Sequence, residues 1–234
     1  MRHSFGLSDL FKTCWLAAAI TVLAAPAGVM AQTVIPLARF RSVTVHGCSE
    51  VILRHGSTQR VTMIQGTTSN TVLSVEEGDR LEIDGCRGKY PKGYRAVIEI
   101  VGPEFVDILV RDGGTVLTRG SFPRQAEIGA IVSDGGTIDL RSMSVDHVDA
   151  AVRQGGRIFA KPQETLVADI AQGGAITYWD HPRVRTSIEH GGVVARGVAA
   201  DFDKPLHELG PALDVVPRLP AVPPNPGTRR SRSS

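Results

Sequence analysis

The chain has 234 residues, of which 42% are hydrophobic and only 5% aromatic, with 25 glycines and 14 prolines. A glycine-rich and aromatic-poor composition is typical of β-solenoids, whose narrow core is filled by small branched side chains. The formal net charge is only +2 at pH 7, which excludes a strong charge-driven attraction to nucleic acid or to anionic membranes.

Residues 1–31 have the pattern of an export signal. Arg2 and Lys12 precede an apolar run over 15–25, and small residues end the segment just before Gln32. This run is too short for a membrane-spanning helix, although an uncleaved anchor is the alternative. The pattern predicts an exported protein, periplasmic or extracellular, with no stable membrane span after cleavage.

The cysteines indicate one disulfide bond. Cys14 leaves with the signal, so the mature chain keeps Cys48 and Cys86. Each follows a glycine, Gly47 or Gly85, at the end of a predicted strand. Two cysteines in an oxidising compartment favour a Cys48–Cys86 bridge between stacked corners over metal binding by two thiols.

The region 40–110 is predicted to be a less regular β region. Its strands are recognised by alternating apolar and polar residues, and 76–80 reads as a hairpin turn with a glycine available for positive φ. The predicted strands cover 40–45, 50–53, 59–64, 72–75, 81–83 and 96–101.

A glycine ladder dominates the second half of the chain. Five glycine pairs recur at steps of 22, 20, 18 and 18 residues, and apolar residues occupy the positions seven and three before and three after each pair. This repeat predicts stacked β-strand coils of about 18–22 residues, because one coil cannot bury its apolar face alone. The pairs are Gly113-Gly114, Gly135-Gly136, Gly155-Gly156, Gly173-Gly174 and Gly191-Gly192.

The paired glycines are predicted to be structural turns. Coils stack about 4.8 Å apart, so side chains at a shared corner would crowd the next coil. Glycine tolerates positive φ and a close backbone approach. This explanation is favoured over a role in cradling a ligand.

The segment 205–234 differs in composition from the ladder. It holds seven of the fourteen prolines and closes with Arg229, Arg230 and Arg232. We expect a disordered, Pro-rich tail with a basic end. The remaining chain, 32–204, is predicted to be a single β domain.

The chain resembles the DUF2807 family, also called the head GIN domain of proposed autotransporter adhesins. The resemblance covers roughly 38–198 and implies a right-handed single-stranded parallel β-helix on an exported bacterial protein, with a proposed role in adhesion and no established catalysis. The residues that carry it are Phe40-Arg41-Ser42-Val43-Thr44-Val45-His46-Gly47, Val51-Ile52-Leu53, Leu81-Glu82-Ile83 and the repeated Gly-Gly-x-Ile/Val steps.

One column of polar residues is a candidate binding strip. Stacked coils would align the residues that precede each glycine pair, and their acidic end could bind a cation or a sugar. The alternative, which we favour, is that each side chain bonds to the backbone of its own turn. The column consists of Asp112, Asp134, Gln154, Gln172 and His190.

An aromatic pair and a second polar column are two further candidate sites. Tyr178 and Trp179 lie at a coil edge and could stack on a sugar ring, although a packing role is favoured. A second column, six residues before each glycine pair, points outward and is too mixed to form a site. It consists of Asp107, Gly129, Asp149, Val167 and Arg185.

No pattern predicts catalysis, a metal site or a cofactor. The chain has no Gly-x-Ser-x-Gly elbow, no His-x-x-x-His pair, and no cluster of three or more carboxylates of the kind a lyase cation site requires. We expect a non-catalytic binding module or adhesin whose partner is a glycan or an envelope or surface protein. A polysaccharide-active β-helix enzyme and an assembly module that docks a partner through its tail are the alternatives, and a homo-oligomer is compatible with each.

Overall fold

The computed structural model describes residues 32–76, 79–86 and 90–209, which form an all-β protein with two short 3₁₀ turns. The strands are β1 Thr33–Ile35, β2 Ser42–His46, β3 Ser49–His55, β4 Arg60–Gln65, β5 Thr71–Glu76, β6 Arg80–Gly85, β7 Ala96–Gly102, β8 Asp107–Arg111, β9 Thr115–Thr118, β10 Gln125–Ser133, β11 Thr137–Asp139, β12 Val145–Gln154, β13 Arg157–Ala160, β14 Pro162–Gln172, β15 Ala175–Tyr178, β16 Arg183–Ile188 and β17 Val193–Arg196. The 3₁₀ turns are Ala199–Asp201 and Leu206–Glu208.

The described strands form two large sheets. The nine-stranded sheet has the order β1-β4-β7-β3-β9-β11-β13-β15-β17, and the eight-stranded sheet has the order β16-β14-β12-β10-β8-β2-β6-β5. From β8 onward the chain alternates between the two sheets, and each strand pairs in parallel with the next strand of its own sheet. Each repeat therefore supplies one strand to each sheet.

The core lies between the sheets, where the apolar columns of the sequence meet in register. Val132, Val152 and Ile170 are direct neighbours across three strands of the eight-stranded sheet, and all are essentially buried. Successive side chains of a β-strand point to opposite sides of the sheet, so the residues next to these core positions point outward. Burial of each such aliphatic side chain contributes about 1.5–3 kcal/mol.

The N-terminal part does not follow a purely parallel scheme. Strands β4 and β1 add to the nine-stranded sheet in antiparallel fashion, and β5 pairs antiparallel with β6 as the hairpin that the sequence predicted. The expectation of a parallel β-helix over the whole of 32–204 is thus corrected, since both sheets are mixed. Alternation of period 2 marks a strand but does not identify its partner or its direction.

The stacking order also departs from the chain order. Strand β2 lies between β6 and β8, and β3 lies between β7 and β9. The Cys48–Cys86 disulfide confirms the predicted pairing, with the two Cα atoms 5.9 Å apart. It joins the turn after β2 to the turn after β6, so it connects two stacked turns.

The glycine pairs lie in the turns that pass the chain from one sheet to the other. Nine of the ten glycines have positive φ, with Gly114 the exception. At Gly174 (φ 106°), an added Cβ would lie 2.8 Å from the carbonyl oxygen of Gly156 in the preceding turn. At Gly173 (φ 67°) it would meet nothing within 4 Å. The first glycine thus supplies the backbone conformation, and the second also permits the close stacking.

The predicted domain limits fall partly outside the described residues. The expected signal, 1–31, lies there, as does 210–234. Within the predicted tail, 205–209 continue the ordered chain, and Leu209 is buried. No helix in the described ranges is both long and apolar enough to cross a membrane.

Candidate binding face

The polar column before the glycine pairs lies where the strands of the eight-stranded sheet end, with Gln154 and Gln172 as the last residues of β12 and β14. Asp112 and Asp134 have positive φ, which Asp tolerates better than most residues. Gln154 and Gln172 are direct neighbours in register, and all five column residues are exposed. Among the described residues no group of three or more His, Cys, Asp and Glu side chains could hold a metal ion. A binding role for this column stays a prediction.

Asp112 borders a cavity of about 740 Å³ that sequence reasoning missed. His46 links two carboxylates there, with Nε2 3.2 Å from Glu82 Oε2 and Nδ1 3.6 Å from Asp112 Oδ2. The register of β2 with β6 and β8 creates this arrangement. No sequence spacing signals it, because these strands are far apart in the chain. Cys86 and Tyr90 also line this cavity.

Tyr178 and Trp179 do not form an exposed sugar platform. Tyr178 belongs to the main core, and Trp179 is 5% exposed. The Trp179 Nε1 donates to the Val198 carbonyl oxygen at 3.1 Å, and the ring packs edge-on against Phe202 at 5.6 Å. Both aromatic side chains therefore have the packing role that the sequence favoured.

Part of the outer side of the nine-stranded sheet, around β13 and β15, is covered by a C-terminal segment, which we define as 198–209. Beneath it lie the outward-facing Phe159 and Trp179, in contact with Phe202, Leu206 and Leu209. A small satellite core thus forms outside the main one. The C-terminal segment is held against this sheet as a second apolar layer.

A buried ion pair anchors the same segment. Arg141 donates from Nε and Nη2 to the two carboxylate oxygens of Asp139, each at 2.9 Å. Its Nη1 donates to the Phe202 and Lys204 carbonyl oxygens at 2.6 and 2.9 Å. The Arg141 guanidinium thus supplies hydrogen bonds both to the buried carboxylate and to the backbone carbonyls of the C-terminal segment. A buried charge is costly unless it is paired and hydrogen-bonded in this way. On the exposed side, a hydrogen bond with Asp201 raises the pKa of Lys204.

Among residues 32–76, 79–86 and 90–209, no segment covers the outer side of the eight-stranded sheet in this way. We call the outward side chains of β8, β10, β12 and β14 the open face. Its middle row consists of Leu109, Ile131, Ala151 and Asp169, and its next row consists of Asp107, Gly129, Asp149 and Val167. The apolar members are half-buried, and Ile131, Ala151 and Val167 form the floor of a groove of about 700 Å³.

Carboxylates surround this apolar floor. Asp107, Glu127, Asp149 and Asp169 are exposed, and Glu104 also lines the groove. Within the described ranges none of the first four lies within 4 Å of a basic side chain. Unpaired charges of one sign in a groove raise the local concentration of oppositely charged partners. The exposed Arg111 and Arg153 lie on the same outward side beyond the groove. The groove itself, which no basic side chain lines, is thus suited to a basic partner with apolar side chains.

In the sequence, the residues of the open face belong to two separate columns. The sequence predicts that the column of Asp107, Gly129 and Asp149 points outward, but the residue types in this column are too mixed to indicate a site. The acidic groove appears only when that column is joined to the neighbouring one, which carries Ile131 and Asp169. A search for carboxylates shared by two outward columns would have found it.

Comparison with known proteins gives no family assignment. No family model matches the chain, and no curated protein matches it. Membership of the DUF2807 family stays a prediction.

The chain is similar to several solved structures. A proposed adhesin from Bacteroides fragilis is 12% identical, with 71% of this chain and 95% of that chain covered and a TM-score of 0.46. A proposed lipid-binding protein from Parabacteroides distasonis is 14% identical, with 74% and 98% covered and a TM-score of 0.41. A proposed adhesin from Parabacteroides merdae is 11% identical, with 74% and 98% covered and a TM-score of 0.38. These similarities assign neither a family nor a function.

Proposed function

We propose that this chain is an exported, non-catalytic binding module whose open face binds a basic surface of an envelope or cell-surface protein. The observation that carries the proposal is the contrast between the two outer sides of the fold. Part of one side is covered by the chain's own C-terminal segment, whereas the other presents carboxylates, unpaired within the described residues, around an apolar floor. Apolar groups in contact with water beside unpaired charges of one sign are typical of an interaction site.

A protein partner fits the open face better than a glycan. The residues that line the groove include five carboxylates and no aromatic side chain. Sugar rings are usually held by aromatic stacking, whereas a basic protein surface would pair with the carboxylates. Trp179, the only tryptophan in the described part of the chain, is buried and packs within the satellite core.

The architecture and location are part of the same proposal. We propose that 105–197 form a right-handed single-stranded parallel β-helix, supported by the alternation of strands between two sheets and by the parallel registers from β8 to β17. Export to the periplasm or cell surface is supported by the Cys48–Cys86 bridge, because disulfides persist in oxidising compartments. A β-helix of this kind offers a broad, rigid face rather than an enclosed active site.

The test is a binding titration with a fluorescent deca-arginine peptide. We expect the mature chain, 32–234, to bind it, and the double variant Asp149→Asn/Asp169→Asn to bind at least fivefold more weakly at 0.05 M salt. The difference should shrink at 0.5 M salt, where exposed charges are screened. Equal affinities of the two proteins would contradict the proposal.

A matched control separates the face from overall charge. Asp203→Asn/Glu208→Gln makes the same change in net charge on the exposed side of the C-terminal segment. Its affinity should equal that of the unmodified chain. If the control loses as much affinity as Asp149→Asn/Asp169→Asn, binding reflects net charge and not the open face.

A further inference from the structure

We propose that the chain's own segment 210–234 docks on the open face and competes there with external partners. This inference rests on the proposed function of that face and adds a regulatory occupant to it. The open face and the segment are complementary in two independent respects, charge and apolar composition. The length of chain that follows Leu209 makes the contact possible.

Charge complementarity is the first support. The segment contains Arg218, Arg229, Arg230 and Arg232 against a single acidic residue, Asp214. The open face carries exposed carboxylates that are unpaired within the described part of the chain. Guanidinium groups bind carboxylates in two-point geometry, which favours arginine over lysine at such a surface.

The apolar composition of the segment also matches the groove. Between its charges it carries Leu213, Val215, Val216, Leu219 and Val222. The groove floor offers Val106, Ile131 and Val167, which are half-buried. A segment with both arginines and aliphatic side chains can contact the rim and the floor together.

The prolines favour docking on a face over pairing at an edge. Six prolines lie within 210–234. Proline has no N–H to donate, so the segment cannot supply a continuous strand to the free edge at β16 or β17. An extended, proline-rich chain instead lies on a surface through its side chains at a low entropic cost.

The segment is long enough to reach the open face. It follows Leu209, whose carbonyl oxygen accepts a hydrogen bond from Arg157 Nη1 at 3.3 Å on the covered side. Arg229 is twenty residues further along the chain, or about 60 Å of extended proline-rich backbone. Two packed sheets are only about 10 Å apart, so the route around the fold is well within reach.

Attachment to the same chain gives the segment an advantage over free ligands. A short tether corresponds to an effective concentration in the millimolar range. A weak contact is therefore sufficient to occupy the face in the absence of a partner. A multivalent basic partner would displace the segment.

The first experiment locates the segment in the mature chain. Ser233→Cys provides a single free thiol for a nitroxide label, since Cys48 and Cys86 are bridged. We expect paramagnetic broadening that is strongest at the amide signals of Ile131 and Ala151 and weaker at Thr177 in the other sheet. Replacement of Arg229, Arg230 and Arg232 by glutamine should abolish this pattern. Broadening that is strongest elsewhere, or a pattern that survives these substitutions, would overturn the inference.

The second experiment separates this inference from the proposed function. A free peptide with the sequence of residues 221–234 is titrated into the mature chain and into the triple glutamine variant. We expect the variant to bind the peptide at least threefold more tightly, because its own segment no longer competes. Equal binding, weakened in both proteins by Asp149→Asn/Asp169→Asn, would overturn tail docking and leave the proposed function intact. Absence of binding to either protein would overturn both.

Discussion

The two outer sides of this fold are built from the same repeat but differ in how far their side chains are buried. On the nine-stranded sheet, the outward row contains Asp139, Phe159, Thr177 and Ala195, all of which are buried, with Phe159 packed beneath the C-terminal segment. On the eight-stranded sheet, the outward row contains Leu109, Ile131, Ala151 and Asp169, none of which is fully buried. The difference arises outside the repeat, from residues 198–209.

This contrast shows how a repeat can separate stability from recognition. Each repeat fills the common core with the inward residues of both sheets, which leaves both outward rows free to vary. One row acquired aromatic side chains and a buried ion pair that fix the C-terminal segment. The other kept small apolar residues and carboxylates, which contribute little to folding and are available for binding. Substitutions on the two sides should therefore have opposite consequences.

The largest expected effect is on the covered side. Trp179→Ala removes the ring that packs against Phe159, Phe202 and Leu209, and such a truncation costs about 3–5 kcal/mol. Ile131→Ala on the open face should cost only about 1 kcal/mol, because the side chain is half-buried. Urea unfolding followed by circular dichroism measures both. Equal losses would mean that the two sides do not differ in their contribution to stability.

A similar loss is expected from reduction of the disulfide, which belongs to neither outer side. The Cys48–Cys86 bridge closes a loop of 38 residues, so its reduction should lower the free energy of unfolding by about 3–4 kcal/mol. The measurement is a thermal melt with and without reductant. Labelling of both thiols in the native, unreduced protein would contradict the bridge itself.

The turns between the two sheets should be the next most sensitive positions. Gly156 has φ 101°, and an added Cβ would lie 3.0 Å from the Gly136 carbonyl oxygen. Backbone strain alone costs about 1–3 kcal/mol, and the contact with the neighbouring turn adds to it. Gly156→Val should therefore lower the melting temperature much more than Asp149→Val, which places the same side chain on the open face.

The sequence predicted the repeat far better than it predicted the faces. The apolar columns, the hairpin at β5 and β6 and the disulfide follow from local period, turn chemistry and cysteine placement. The antiparallel strands β1 and β4 do not, because alternation is the same in parallel and antiparallel pairs. The order in which β2 falls between β6 and β8 depends on long-range contacts that leave no local signal.

The candidate site was harder to predict for a physical reason. Burial of Trp179 depends on Phe202, at the predicted end of the domain, and on Leu206, which composition assigned to the disordered tail. The acidic groove depends on which outward columns lie side by side, and repeats of 18 to 22 residues do not specify their outward residues. Recognition surfaces on a repeat protein are set by positions that the fold leaves unconstrained.

The smallest expected effect concerns the turn residue Asp134, and it decides between two roles for the polar column. Asp134 has φ 61°, and asparagine tolerates this conformation as well as aspartate does, whereas alanine pays a cost of about 1 kcal/mol. If the side chain only serves its own turn, Asp134→Asn should leave stability within about 0.5 kcal/mol and Asp134→Ala should lower it by about 1 kcal/mol. We expect this result, together with no heat of calcium binding in calorimetry of the unmodified chain or of Asp112→Asn/Asp134→Asn. A binding heat that the unmodified chain shows and the double variant lacks would instead make the column a cation site, in addition to the open face.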